Sequence, residues 1–272
     1  MASFYPDMEA TKVAVIFGVR NDRSIALAVA KKLVQQGMAV AVSYTETTRE
    51  DVLFCLDQAG IPTDLCGLVD VRYEDHLVRY FQTIAAKAGS IDYVLHSVAY
   101  GSNKVLCNKL PFSDETAPEY IDMPLDDLQE AIDIGAYSLL RVVRAALPYL
   151  SANASVLTTT YNASQRVVPK YAGMGVVKAC LENLVQCLAY LLGKEGHRIN
   201  ALSPGLIMTT SAASIQGVRK MRKQSAAMAP LGNIGLEDVA EAAAYYFSDA
   251  SKKVTGNIHY IDGGLNIMGG TE

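Results

Sequence analysis

Short apolar runs rich in β-branched residues recur along the chain, separated by longer stretches with helical spacing. No other feature constrains the fold as tightly. The runs are Val13–Phe17, Ala39–Ser43, a weaker Leu65–Val69, Tyr93–Leu95 with its flanks, Ser155–Thr160, Ile199–Leu202 and Ile258–Ile261. Helical periodicity fills Ser24–Gln36, Arg49–Ala59, Asp75–Ala88, Leu125–Leu150, Gly175–Leu192 and Glu237–Ser248. Nearly continuous apolar strands need cover on both faces, which is the demand of a parallel sheet wrapped by helices. The expected fold is α/β, a single doubly wound Rossmann-like domain over residues 1–272 with about seven parallel strands and helices on both faces. Residues 1–10 read as an N-terminal extension. Residues 102–124, with three prolines, interrupt the rhythm as an irregular insertion beside the ligand crevice, or equally as a tolerated surface loop.

Composition removes several classes. The chain has 272 residues, half of them hydrophobic, and a formal net charge of -4. There is no basic excess to hold nucleic acid. Cys55, Cys66, Cys107, Cys180 and Cys187 are odd in number and form no C-x-x-C, so reduced thiols in a cytoplasmic protein are expected. His76, His96, His197 and His259 stand at no metal-ligand spacing, and no metal site is expected. The start of the chain lacks the charged head and apolar core of a secretory signal, and no membrane span is expected.

Candidate ligand contacts gather at the carboxyl ends of the strands, where doubly wound folds bind. The first strand runs into Gly18, then Ser24, Ile25 and a helix, the place for a pyrophosphate against helix-terminal N–H groups. The usual G-x-G-x-x-G is absent, and a plain strand–turn–helix would look similar. Asp70, followed by Val71, ends the third strand and could accept a hydrogen bond from an adenine amino group, or cap a helix. Ser97, Val98 and Ala99 close the fourth strand with small side chains that admit a ribose or nicotinamide. After the sixth strand, Ser203-Pro-Gly leads through Leu206, Ile207, Met208, Thr209, Thr210 and Ser211, which could cross the pyrophosphate and carboxamide. Residues 206–228 read as a substrate lid, with a lid helix over 215–228.

Tyr171 and Lys178 are about two helical turns apart and would share a face. A nearby ammonium would lower the tyrosine pKa and fit it to donate to a carbonyl oxygen as charge develops. On spacing alone, an exposed tyrosine and lysine on an ordinary helix is the better reading, and it is the cofactor features upstream that reverse it.

Taken together, these residues resemble the short-chain dehydrogenase/reductase superfamily, and within it the bacterial type II enoyl-acyl-carrier-protein reductases. The resemblance covers about residues 11–270. Its most specific stretch, LTTTYNASQRVVPKYAGMGVVKACLE, carries the Tyr-x6-Lys spacing of that family and an extra tyrosine, Tyr161, ten residues upstream. The resemblance implies NADH or NAD as cofactor, with NADPH less favoured. It places Gly18, Ser24, Ile25, Thr45, Asp70, Val71, Ser97, Val98, Ala99, Lys178, Ile207, Met208, Thr209, Thr210 and Ser211 at the cofactor. It places Gly101, Tyr161, Tyr171 and Met174 at the substrate, with Tyr171, Lys178 and Tyr161 catalytic. It further implies acyl carrier protein as partner and a homotetramer. The chain departs from the family at Leu206 (proline in the pattern), at Met208 (a basic residue) and in the length of 102–124. The alternatives are a same-fold reductase of a carbonyl or specialised metabolite, and a nicotinamide-binding regulator, for which Tyr171 would be superfluous. Glu46, near the end of the second strand with no cation before Arg49, also argues against a 2′-phosphate unless it points to solvent.

Overall fold

The computed structural model describes residues 11–106, 120–168 and 170–269. In chain order the main elements are β1 (Val13–Phe17), α1 (Ile25–Gln35), β2 (Ala39–Tyr44), α2 (Arg49–Gln58), β3 (Gly67–Leu68), α3 (Glu74–Ala88), β4 (Ile91–His96) and α4 (Asn103–Leu106). They continue with α5 (Leu125–Ile132), α6 (Ser138–Ala146), β5 (Leu150–Thr159), α7 (Ala172–Lys194), β6 (Arg198–Pro204), α8 (Thr210–Ala213), α9 (Val218–Met228), α10 (Leu236–Tyr246) and β7 (Ile258–Ile261). The seven strands form one sheet in the order β3-β2-β1-β4-β5-β6-β7, and every pairing is parallel.

The pleat explains the apolar runs. Side chains alternate across a strand, so Val13, Val15 and Phe17 enter one core, with residues of α3, α6 and α7. Ala14 and Ile16 enter the other, with residues of α1, α2 and α10. Both faces of β1 are therefore buried along its whole length. The chain runs outward from β1 in both directions, so the carboxyl ends of β1 and β4 part at a switch point and leave a crevice.

Two elements differ from the sequence reading. The third strand shrinks from 65–69 to Gly67–Leu68, paired only with Ser43 and Tyr44 of β2. As the edge of the sheet it is one of the short strands that limit edge exposure. The expected helix over 125–150 is broken: a π-turn at Asp133–Tyr137 separates α5 from α6, a 3-10 turn at Leu147–Tyr149 contains Pro148, and Leu150 already belongs to β5. A single inserted residue shifts no apolar spacing enough to be seen in sequence.

By length and composition alone Gly173–Lys194 could cross a membrane. Half of it is buried, however, and Val177, Leu181 and Val185 lie fully within the core, so it reads as a core helix. Cys55, Cys66, Cys180 and Cys187 are free thiols, while Cys107 lies outside the described residues. So do residues 1–10 and most of the expected 102–124 insertion; its described parts include α4 and a 3-10 turn at Tyr120–Asp122.

His96, at the end of β4, is fully buried with both ring nitrogens engaged, Nδ1 with Thr158 Oγ1 at 2.9 Å and Nε2 with Ser138 Oγ at 2.8 Å. Burial, then the charge of Lys178, drive its pKa down to about 3. The folded protein thus keeps it neutral, whereas the unfolded chain takes up a proton below about 6.5. Stability contributed by the neutral ring is present above that pH and is lost as pH falls toward the folded value. Between pH 6.5 and 5 this residue should lower the unfolding free energy by up to about 1.4 kcal/mol per pH unit. Denaturant melts of wild type and His96→Gln across that window check it; equal slopes would show that the ring is not held neutral.

Candidate active site

The crevice at the switch point has a volume of about 660 Å³, within the range of small-molecule and cofactor sites. Its walls come from the carboxyl ends of β1 to β6 and from the segments that follow them.

At one end, Gly18 leaves β1 with φ +98°, and a Cβ there would overlap the Ser97 carbonyl at the end of β4. Only glycine lets the two strand ends close together at this point. Ser24 Oγ accepts the N–H groups of Arg20 and Asn21, both at 3.0 Å, so it closes the turn and does not cap α1 with its side chain. The first turn of α1 carries no acidic residue, which leaves its positive end facing the crevice. Across the mouth, Asn21 Nδ2 donates to Thr210 Oγ1 at 2.6 Å. Thr209 caps α8 by accepting the Ala212 N–H.

At the far end stand Thr45, Thr47 and Thr48 after β2, with Asp70, Val71 and Arg72 after β3. The Asp70 carboxylate does not cap α3; it grips Arg72 through side-chain bonds of 2.6–3.1 Å, which hold its pKa below the usual carboxylate range. Glu46 is exposed and is not part of the crevice wall, although Thr45, Thr47 and Thr48 around it are.

At the chemical end, Tyr171 precedes α7 as its N-cap residue, and Lys178 lies on the second turn. Both line the crevice. Lys178 is 3% exposed, and its Nζ donates to the Thr159 carbonyl at 3.0 Å. Burial lowers its pKa to about 8, opposed by the Glu182 carboxylate. The Tyr171 ring meets Tyr161 edge to face at 5.2 Å. The expected lowering of the Tyr171 pKa is reversed: burial, then Tyr161, push it up. The phenol therefore stays protonated at neutral pH, as a donor. Tyr161 is also raised, by burial and then Asp262.

Of the residues expected at the site, Gly18, Ser24, Ile25, Thr45, Asp70, Val71, Ser97, Val98, Ala99, Tyr161, Tyr171, Lys178, Ile207, Thr209, Thr210 and Ser211 do line one crevice. Three do not. Met208 turns into a small apolar cluster with Leu206, Ala212, Ile215 and Val218. Gly101 and Met174 pack on each other behind the wall, where a Cβ on Gly101 would meet the Met174 sulfur. The expected lid helix over 215–228 is α9, which begins three residues later, at Val218 after left-handed Gly217, and the short α8 precedes it within 206–228. Arg72, Thr160, Glu130 and Ile134 were missed as wall residues. No sequence pattern marks them, because the fold alone brings them there. Among the described residues no cluster of His, Cys, Asp or Glu is placed to hold a metal.

A switch-point crevice at the ends of a 3-2-1-4-5-6-7 sheet, with a tyrosine and a buried lysine at the head of the helix after β5, is the layout of a short-chain dehydrogenase/reductase. The chain belongs to the enoyl-(acyl carrier protein) reductase family, whose profile matches residues 18–266. It is 34% identical over 260 residues to the enoyl-[acyl-carrier-protein] reductase [NADH] of Aquifex aeolicus, covering 95% of this chain and 92% of that one. It is similar to the solved reductase of Anaplasma phagocytophilum in complex with NAD, with TM-score 0.86, 31% identity, and 97% and 95% of the two chains covered. The Bacillus cereus enoyl-acyl carrier protein reductase, solved with NADP+ and an indole naphthyridinone, matches at TM-score 0.88 and 33% identity, covering 95% and 97%.

Proposed function

We propose that this protein reduces the carbon–carbon double bond of a trans-2-enoyl thioester on acyl carrier protein, using NADH, as a step of fatty acid synthesis of the bacterial type II kind. The observation that carries this reading is the meeting of Tyr171, Tyr161 and Lys178 in one crevice with the Gly18 turn and the open end of α1. The residues fit a dinucleotide: glycine at the close approach, helix N–H groups without a competing carboxylate, and a buried ammonium. NADH is the reading supported by the curated relatives' names, and no longer by Glu46.

The Gly18 turn, the start of α1 and Lys178 would hold NADH, which would supply the hydride for the β-carbon of the enoyl group. Tyr171 then serves as a protonated donor to the thioester oxygen while negative charge develops there. The thioester carbonyl re-forms as the α-carbon takes a proton from solvent, which completes the reduction and leaves Tyr171 protonated. Lys178 holds positive charge beside the tyrosine and would meet the cofactor ribose, its position fixed by the Thr159 carbonyl. Tyr161 braces the Tyr171 ring. The apolar cluster of Leu206, Ala212 and Ile215, which touches Tyr171, is suited to an acyl chain. We read residues 1–272 as one domain in which 206–228 covers the substrate. We also read it as a cytoplasmic homotetramer, a reading supported by the exposed apolar residues Val176, Tyr190 and Leu191 of α7.

The test is NADH oxidation with enoyl and 3-ketoacyl thioesters, each on carrier protein and on N-acetylcysteamine. Activity only on the ketones would sink the reading. The same assay probes docking. Arg219, Lys220 and Lys223 of α9 are exposed, while Arg222 is half-buried. Carrier proteins are acidic, so Arg219→Glu with Lys220→Glu should raise KM for the carrier-bound enoyl substrate about 10-fold at low salt, less as salt screens the charges. It should spare the N-acetylcysteamine substrate; equal losses on both would mean damage to the crevice cover.

A further inference from the structure

Glu182 is a buried carboxylate that the proposed chemistry leaves unused. It lies four residues after Lys178 on α7, so the two side chains leave the same face of the helix. It is 7% exposed. Its Oε1 accepts both the Thr160 and Ser164 hydroxyls, each at 2.7 Å. Lys178 holds Thr159 from the next turn of the same helix. These two side chains therefore fasten both ends of the segment 159–164, and Tyr161 lies between their anchor points. A carboxylate is costly to bury without such partners, and a clamp alone would need only a neutral acceptor. A charged group one turn from a buried ammonium does more: it favours the protonated lysine.

Resting on the reductase reading above, we propose that Glu182 is a positioning residue for the reduction, setting Tyr161 through Thr160 and Ser164 and balancing the Lys178 ammonium by its charge. The other groups facing the pair do not take over that balance. His96, from β4, is neutral, while Tyr161 and Tyr171 are protonated phenols whose pKa values are raised. Near β7, Asp262 faces Tyr161, and Tyr260 faces Glu182 together with Arg166. Burial already brings Lys178 to about 8 against the pull of Glu182. Without that pull the ammonium would be lost at a lower pH.

The experiment measures NADH affinity and kcat from pH 6 to 9 in wild type, Glu182→Gln and the double variant Thr160→Val with Ser164→Ala, with Lys178→Met to identify the lysine limb. Wild type should lose affinity and turnover as pH rises through the Lys178 pKa, and Lys178→Met should lack that limb. Glu182→Gln keeps the size and one acceptor oxygen; its limb should move down by about one unit, a roughly fivefold loss at pH 8 that approaches 10-fold at pH 9 and recovers near pH 6. The double variant keeps the carboxyl group and removes only its hydroxyl donors, so kcat should fall about 10-fold even near pH 6, where Lys178 is protonated in either case. A folded Glu182→Gln with an unmoved limb overturns the charge role. A double variant with wild-type kcat overturns the positioning role. Should Glu182→Gln fail to fold, the role is purely structural if the double variant is also unaffected in kcat. NADH affinity reads the lysine without any turnover, so a wild type inactive on enoyl thioesters would end the reductase reading and still report on Glu182.

Discussion

Tyr171→Phe is expected to lower kcat on an enoyl thioester by about 10²–10⁴-fold while NADH affinity stays within about threefold. Only the hydroxyl is removed. The ring keeps its edge-to-face contact with Tyr161 and its place against the cluster of Leu206 and Ile215. Because burial raises the phenol's pKa, the lost group is a protonated donor at every working pH. The deficit should therefore be flat across pH 6 to 8 and should not follow a tyrosine titration. Stopped-flow hydride transfer, with NADH binding measured by fluorescence, separates chemistry from affinity. A variant with wild-type kcat would remove Tyr171 from the chemistry.

The largest structural effect is expected at Gly18→Ala. The added methyl would strike the Ser97 carbonyl, and φ +98° is unfavourable for any side chain. Backbone strain and overpacking together suggest a loss of roughly 2–5 kcal/mol, a large part of the stability of an ordinary domain. NADH binding should disappear with it, because the turn that carries the start of α1 is displaced. Gly60→Ala is the control: it too has positive φ, at +64°, but its Cβ would meet nothing within 4 Å. Comparable melting temperatures for the two variants would show that the β1–β4 approach does not require glycine.

Much of the fold could be read from apolar runs because both sheet faces are covered. Val13–Phe17 and Ile258–Ile261 were placed with correct bounds: every residue of the first is buried, and Ile258 and Ile261 of the second pack against the two cores. What escaped was set by tertiary contact. The π-turn at 133–137 adds one residue to a helical pattern and turns on the bond from Ser138 Oγ to the Ile134 carbonyl, beside His96. Strand-end residues such as Ser97 and Asp70 could be assigned to the crevice from topology. Their partners could not: Arg72 on Asp70, or Thr160 on Glu182, meet only after folding. Met174, which the resemblance put at the substrate, is buried in the core with its sulfur against Gly101, a packing that no sequence pattern marks.

Leu206, Ala212, Ile215 and Val218 form an apolar cluster separate from the two that sandwich the sheet. This small island has its own packing, and its neighbours are the mouth of the crevice and Tyr171. Substitutions within it are therefore felt where an acyl chain would enter and hardly at all by the sheet. Evolution can retailor chain length or bulk on that side while the scaffold and the reacting pair stay fixed. Local opening of 206–228 likewise exposes little of the main hydrophobic interior. If 206–228 covers the substrate as proposed, substrate entry and global unfolding are governed by different sets of contacts.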